Sequence, residues 1–381
     1  MPTFQLSQAD IEPLLEGLAV FGTGGGGSPA WGKAILENDF ARGRTHRLID
    51  LEQVSDEATV VSGGIMGSVK VLEKMGTENV MRHWEERFEL LEVNRVMQTL
   101  LGRPIDHVVP FEVGGLNAPV VLSLGARMGV PVIDGDALGR SAPETQMTSF
   151  IGHGVALTPM PLIDFNGNVV VVQSAADPTY PDQLGRWVVT NGGGLGANHH
   201  YPMTGRQAKT AVIPNTVSAS LALGRAVLRA RDQGEDPVQT VAGQVGGVLL
   251  HAGEITAMTE EESMGFYYTT ARIQGGGRFA GQQADLVIKN ETMMLSINGE
   301  PKAYFPDLIL LLEPGTGRGL MSIELRLGSQ VSLVGLPCHP RLREAALSAE
   351  GQRAFSPSRY GRAREIYRPI ESLVPELAAA G

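Results

Sequence analysis

The chain has 381 residues, a mass of 40.6 kDa and 43% hydrophobic against 19% charged residues, enough apolar matter for two cored domains and too much for intrinsic disorder. A net charge of −10 argues against nucleic acid or an anionic membrane as the partner. The single cysteine, Cys338, excludes an internal disulfide framework and any CxxC zinc site.

In chain order, LSQADIEPLLEGLAVFG predicts a helix with Ser7 as N-cap and Gly22 as stop, and Ser28 and Pro29 stand at the N-cap and N1 of the next one. THRLIDLEQV and ATVVSGGIMGS predict strands. Residues 77–101 predict a long helical stretch, IDHVVPFE a short strand, and GGLNAP a turn into a helix through Ala126. PVIDGDALGRSAPE reads as a strand running into an acidic loop, and VALTPMPLIDFNGNVVVVQ as a hairpin around Asn166-Gly167. NTVSASLALGRAVLRARDQG is a helix ending at Gly234, and Asp236-Pro237 opens another. From Gly247 the character changes to strand-like runs at regular spacing, GLMSIELRL among them, with Asn298-Gly299 as a hairpin turn. The expected architecture is an α/β domain with a largely parallel sheet over 1–240, a mainly β domain (barrel- or sandwich-like) over 247–338, and a return of 341–381 over the first domain.

Three motifs carry candidate chemistry. In Thr23-Gly24-Gly25-Gly26-Gly27 the missing side chains let backbone N–H groups face a ligand, and the helix that follows adds positive potential. A helix rather than a strand precedes it and no P-loop Lys-Ser/Thr follows, so no nucleotide is expected; a nucleotide-dependent enzyme stays as a rival reading. Glu112 and Asn117, in FEVGGLNAP, follow a strand end, where ligands bind in open α/β sheets; the plainer reading is a loop acid and a helix N-cap. Asp134, Asp136, Arg140 and Glu144 follow the next strand end. A bend at Gly135 would bring the two aspartates to one cavity, as metal ligands or as a water-activating base, and Arg140 would clamp a substrate carboxylate or pair with a local acid. His199 and His200, in NHHYPMTG, are further candidates as metal ligands or base, or else a polar turn; Glu73 is either a surface acid or a site acid, and Cys338 beside His339 lacks an activating context.

Together GTGGGGSP at 22–29, GIMGS with Glu73-Lys74, FEVGGLNAP, PVIDGDALGRSAPE, IDFNGN and FPDLILLLEPGTG resemble, in order and spacing, the S-methyl-thiohydantoin desulfurase family. The family usually has a Pro where Ser68 stands, and NHHYPMTG lies outside the resemblance. The resemblance implies an α/β domain followed by a mainly β one, and chemistry on hydantoin-type rings. An example is hydrolytic removal of sulfur from the thioxo-imidazolidinone propionate formed in ergothioneine breakdown. On this reading Asp134, Asp136 and Glu112 are catalytic. Thr23, Gly24–Gly27, Asn117, Arg140 and Glu73 bind substrate. One divalent metal, zinc or similar, would sit on Asp134 and Asp136, with His199 and His200 joining as ligands on their residue type alone and not through the resemblance. The partner is a small molecule, the chain is cytoplasmic and a homo-oligomer is expected. A non-catalytic subunit of a hydantoinase- or oxoprolinase-type complex is the other rival.

Overall fold

A computed structural model describes residues 4–67, 74–263 and 265–378. The first part of the chain supplies strands β1 (Phe4–Gln5), β2 (Arg47–Ile49), β3 (Thr59–Gly67), β4 (His107–Pro110), β5 (Val132–Ile133), β6 (Gly135–Asp136), β7 (Met160–Asp164), β8 (Val169–Val172), β9 (Leu195–Thr204) and β10 (Ile213–Pro214). Eight of them form one sheet in the order β1-β2-β5-β4-β3-β9-β7-β8, while β6 pairs with β10 apart from it. The pairs β2–β5, β5–β4 and β4–β3 are parallel and make the α/β centre expected from the helix–strand alternation; β9, β7 and β8 add an antiparallel arm.

The longer helices are α1 (Ile11–Phe21), α2 (Pro29–Ala41), α3 (Thr77–Glu86), α4 (Glu89–Leu101), α5 (Asn117–Met128), α6 (Tyr180–Asn191), α7 (Thr216–Gln233), α8 (Pro237–Val245) and α9 (Pro340–Leu347). Their ends obey the sequence signals. The Ser28 hydroxyl accepts the Ala30 N–H with Pro29 at N1, Asp236 caps α8, and Gly234 closes α7 in the left-handed region. Helices α1 and α7 touch backbone to backbone, because a Cβ on Gly17 would lie 1.8 Å from the Ser220 carbonyl oxygen and one on Gly224 1.7 Å from that of Pro13.

The second part is a seven-stranded antiparallel sheet, β11 (Val248–Ser263), β12 (Phe266–Gly275), β13 (Gln283–Lys289), β14 (Glu291–Ile297), β15 (Glu300–Tyr304), β16 (Leu308–Leu312) and β17 (Gln330–Leu336), in the order β15-β14-β13-β12-β11-β17-β16. It curls into a half-barrel, since β16 at one edge packs on β14 and β15 at the other. The two parts share a core: Val20 and Ile213 of the first pack in one cluster with Met293, Phe305 and Leu308 of the second. Of the last forty residues, α9 packs against Ser149–Gly152 of the first part, whereas Ile370, Val374 and Leu377 enter the half-barrel interior. Among the described residues no helix is long and apolar enough to cross a membrane.

Four local expectations are corrected. The 77–101 stretch is two helices, broken at Arg87-Phe88, because Phe88 turns into the core in an extended conformation. THRLIDLEQV gives only the short β2 before a turn of 3-10 helix that Asp50 caps. GLMSIELRL holds a 3-10 turn at Ser322–Glu324 instead of a strand, its Ser322 N–H being taken by the Gly24 carbonyl. NHHYPMT is not a polar turn but part of β9, buried between β3 and β7.

Candidate functional site

A cavity of about 450 Å³ lies between the two parts of the chain. The sheet end supplies Phe111, Glu112 and Asn117, β9 supplies Asn198 and His200, and the half-barrel supplies Glu291 at the start of β14. Its size is that of an ordinary small-molecule site.

Two buried carboxylates define its chemistry. Glu112, 3% exposed, accepts the Ala142 N–H at 2.7 Å and the Asn117 amide on its other oxygen. Burial, with the Glu291 charge added, pushes its pKa well above the usual carboxylate range. Glu291, 4% exposed, is pushed up to about 7 by burial; the cationic Arg140 and Arg186 and the Gly26 N–H restrain the rise, and its Oε2 has no hydrogen-bond partner. Two like charges in one dry site cannot both be carried cheaply, so the pair holds a proton near neutrality. Glu291 was not legible in the sequence: KNETMMLSI looks like any amphipathic strand, and only the fold brings it opposite Glu112.

Gly24–Gly27 line the cavity, but their backbone is spent differently from the sequence expectation of amides presented to a ligand. The Gly25 N–H bonds to Gly22, the Gly26 N–H lies on Glu291, and the carbonyls of Thr23, Gly24 and Gly26 accept from Thr292, Ser322 and Leu116. The loop is therefore a close-packed joint between the two parts. A Cβ on Gly25 would stand 1.9 Å from Glu291 Oε1, and one on Gly26 2.3 Å from the Ser141 hydroxyl.

The aspartates do not share the cavity as the spacing suggested. Asp134 caps α7, its Oδ1 accepting the N–H groups of Val217 and Ser218 at 3.1 and 3.0 Å. Asp136, fully buried, accepts the N–H groups of Val113 and Gly139, and burial raises its pKa to about 7. It braces the loop that carries Glu112, from beneath. Arg140 does not reach a substrate carboxylate either. It is fully buried, and its five N–H donors go to the carbonyls of Ser141, Pro306, Asp307 and Thr292 and to the Thr23 hydroxyl. That also places Thr23 behind the cavity wall. Glu144 lines the cavity and is held by Lys289 at 2.6 Å and by Arg359 of the C-terminal stretch.

His199 points away from the cavity, its Nδ1 bonded to the Ser62 carbonyl at 3.0 Å, while His200 lines the cavity with an unpartnered Nδ1. Burial lowers the two to about 4 and about 3, so both are neutral at pH 7. Asp134, Asp136, His199 and His200 thus face separate surroundings, and among the described residues no group of three or more His, Cys, Asp or Glu side chains is arranged to hold a metal ion. The expected divalent-metal set is therefore not assembled among the described residues. Cys338 is buried, and its thiol is pushed up to about 12, mainly by burial. Glu73 lies outside the described residues.

Comparison with known proteins matches the chain to a family. Residues 9–174 match the model of the S-Me-THD-like N-terminal domain, and residues 176–370 that of the S-Me-THD-like C-terminal domain. No curated protein matches the chain. A crystal structure of a protein from Chromobacterium violaceum is similar at a TM-score of 0.74 and 21% identity, over 96% of this chain and 100% of that one, which shows a shared fold.

Proposed function

The chain belongs to the S-methyl-thiohydantoin desulfurase-like family, and from that premise we propose that it hydrolyses a 2-thiohydantoin-type ring, releasing sulfide and leaving the hydantoin. The observation that carries the reading is the buried Glu112–Glu291 pair on the wall of one cavity. A carboxyl on the cavity wall with a pKa near 7 and a buried oxygen that no protein group hydrogen-bonds is a competent base at neutral pH, and a neighbour held protonated is a competent acid.

In this mechanism the ring lies with C2 over Glu291. Glu291 takes a proton from water as the water oxygen bonds to C2 and the C=S π pair moves onto sulfur. The tetrahedral intermediate then collapses: Glu112 protonates the sulfur, the C2=O bond forms as the C–S bond breaks and HS− leaves, the hydroxyl proton passes to the Glu112 carboxylate, and Glu291 gives its proton to HS−, so both carboxyls return to their starting states. Water plus thione gives carbonyl plus hydrogen sulfide, with no redox change. Asn117 holds Glu112 in place, and Arg140, about 10 in pKa and buried behind the wall, supplies a fixed positive field. A thioxo-imidazolidinone propionate is a substrate of the right kind.

The test is to incubate the purified protein with a panel of 2-thiohydantoins in ¹⁸O-water. Sulfide release together with one ¹⁸O atom in the hydantoin is expected. A protein that releases no sulfide from any member, or releases it without label in the product, overturns the reading.

A further inference from the structure

Of the asparagines that line the cavity, two are already committed. Asn117 is tied to Glu112, and the Asn290 side-chain oxygen accepts the Tyr267 N–H at 2.8 Å. Asn198 differs. It is 4% exposed, lines the cavity, and its carboxamide has no hydrogen-bond partner among the described residues; nor is it one of the polar groups sealed from space, so it opens into the cavity. A buried amide left unpaired is costly, and such a group in a concave site is explained by a ligand that satisfies it.

The strand register shows what lies beside it. Asn198 stands directly opposite Gly64 of β3, and His200 opposite Ser62, so Asn198, Gly64 and His200 share one face of the sheet. At Gly64 a Cβ would meet nothing within 4 Å, whereas at Gly63, on the other face, it would lie 2.3 Å from His199 Nδ1. The sheet is therefore packed solid on one side and open on the other, with the free carboxamide at the border of the open volume.

We propose that Asn198 is the residue that reads the ring: its carboxamide donates to a ring C=O or C=S and accepts from the adjacent ring N–H, two reciprocal hydrogen bonds that a cyclic amide or thioamide returns because the ring holds both groups on one edge. The site then selects for rings with an unsubstituted N–H next to the (thio)carbonyl, and Gly64 is the gap into which the ring slides. This rests on the thiohydantoin reading and names the feature of the substrate that is recognised.

The test measures binding rather than turnover, by calorimetry, with hydantoin and its N1- and N3-methyl derivatives as probes. Wild-type protein should bind hydantoin and bind at least one methyl derivative about tenfold or more weakly. Asn198→Ala should bind hydantoin about tenfold or more weakly and no longer discriminate against that derivative. Gly64→Ala, whose Cβ enters empty space, should melt as wild type does yet lose affinity; it keeps the proposal testable if Asn198→Ala folds poorly. Wild-type hydantoin affinity in both variants, or unchanged discrimination in Asn198→Ala, overturns the role of Asn198 while leaving the desulfurase reading intact. Absence of hydantoin binding by wild-type protein that releases sulfide also overturns it, and absence of both binding and sulfide release overturns the desulfurase reading with it.

Discussion

Burial acts on Glu112, Asp136 and Glu291 in the same direction, but their partners divide the work among them. Glu291 keeps an oxygen free and sits in the cavity; Asp136 spends both oxygens on backbone amides and sits beneath it. Glu291→Gln should therefore keep the fold and lower kcat by about a hundredfold or more, read as sulfide release beside the melting temperature. Asp136→Asn belongs to stability instead. A carboxyl whose pKa is raised from 3.8 to about 7 on folding stabilises the folded state fully below the lower value, loses that contribution between the two, and gives none above about 7. The stability difference between wild type and Asp136→Asn should therefore change across that window and be flat above it, measured by denaturant unfolding at several pH values. A constant difference from pH 4 to 8 would place the titration elsewhere. The neutral His199 and His200 act in the opposite sense, their contribution being lost as pH falls through about 4 and about 3.

At the scale of elements, the glycine loop is the informative one. Gly24, Gly26 and Gly27 have positive φ and Gly25 does not, so a side chain at Gly25 is excluded by Glu291 and not by its own backbone. Gly25→Ala should displace the Glu291 carboxylate and cost tenfold or more in kcat with a small change in melting temperature; wild-type activity would show that the loop does not position Glu291. Caps and turns were legible in the residues alone, because Ser28-Pro29, Asp236-Pro237, Gly234 and Asn298-Gly299 act through local chemistry. The family resemblance was legible through motif order for the same reason, since each motif is a loop or cap with a fixed shape. What local pattern could not supply was β9, whose polar NHH run is stabilised only by its place between β3 and β7, and Glu291, whose role exists only opposite Glu112. The acidic strand end misled for a related reason. Spacing put Asp134 and Asp136 close in sequence, while the β6–β10 pairing turns them to different partners.

Over the whole molecule, the proposed catalytic pair takes one carboxylate from each half of the chain, so the joint between the halves sets its geometry. Two buried cations hold that joint: Arg140 binds carbonyls of both halves, and Lys289, two residues before Glu291, binds Glu144 together with Arg359. Arg140→Ala should lower the melting temperature sharply, since each carbonyl left unpaired costs about 1–3 kcal/mol. Arg140→Lys, which cannot reach all five acceptors, should also destabilise. Neither should change the preference for a carboxylate-bearing over a neutral thiohydantoin, whereas a selective rise in KM for the acid would restore Arg140 as a substrate clamp. The pair itself is tested most directly by the pH dependence of kcat for sulfide release from a 2-thiohydantoin, in wild type and in Glu291→Gln. Wild-type rate should rise as Glu291 deprotonates through about pH 7 and fall at higher pH as Glu112 loses its proton, and the rising limb should vanish in Glu291→Gln. A rising limb that persists unchanged in the variant would contradict catalysis by the two glutamates.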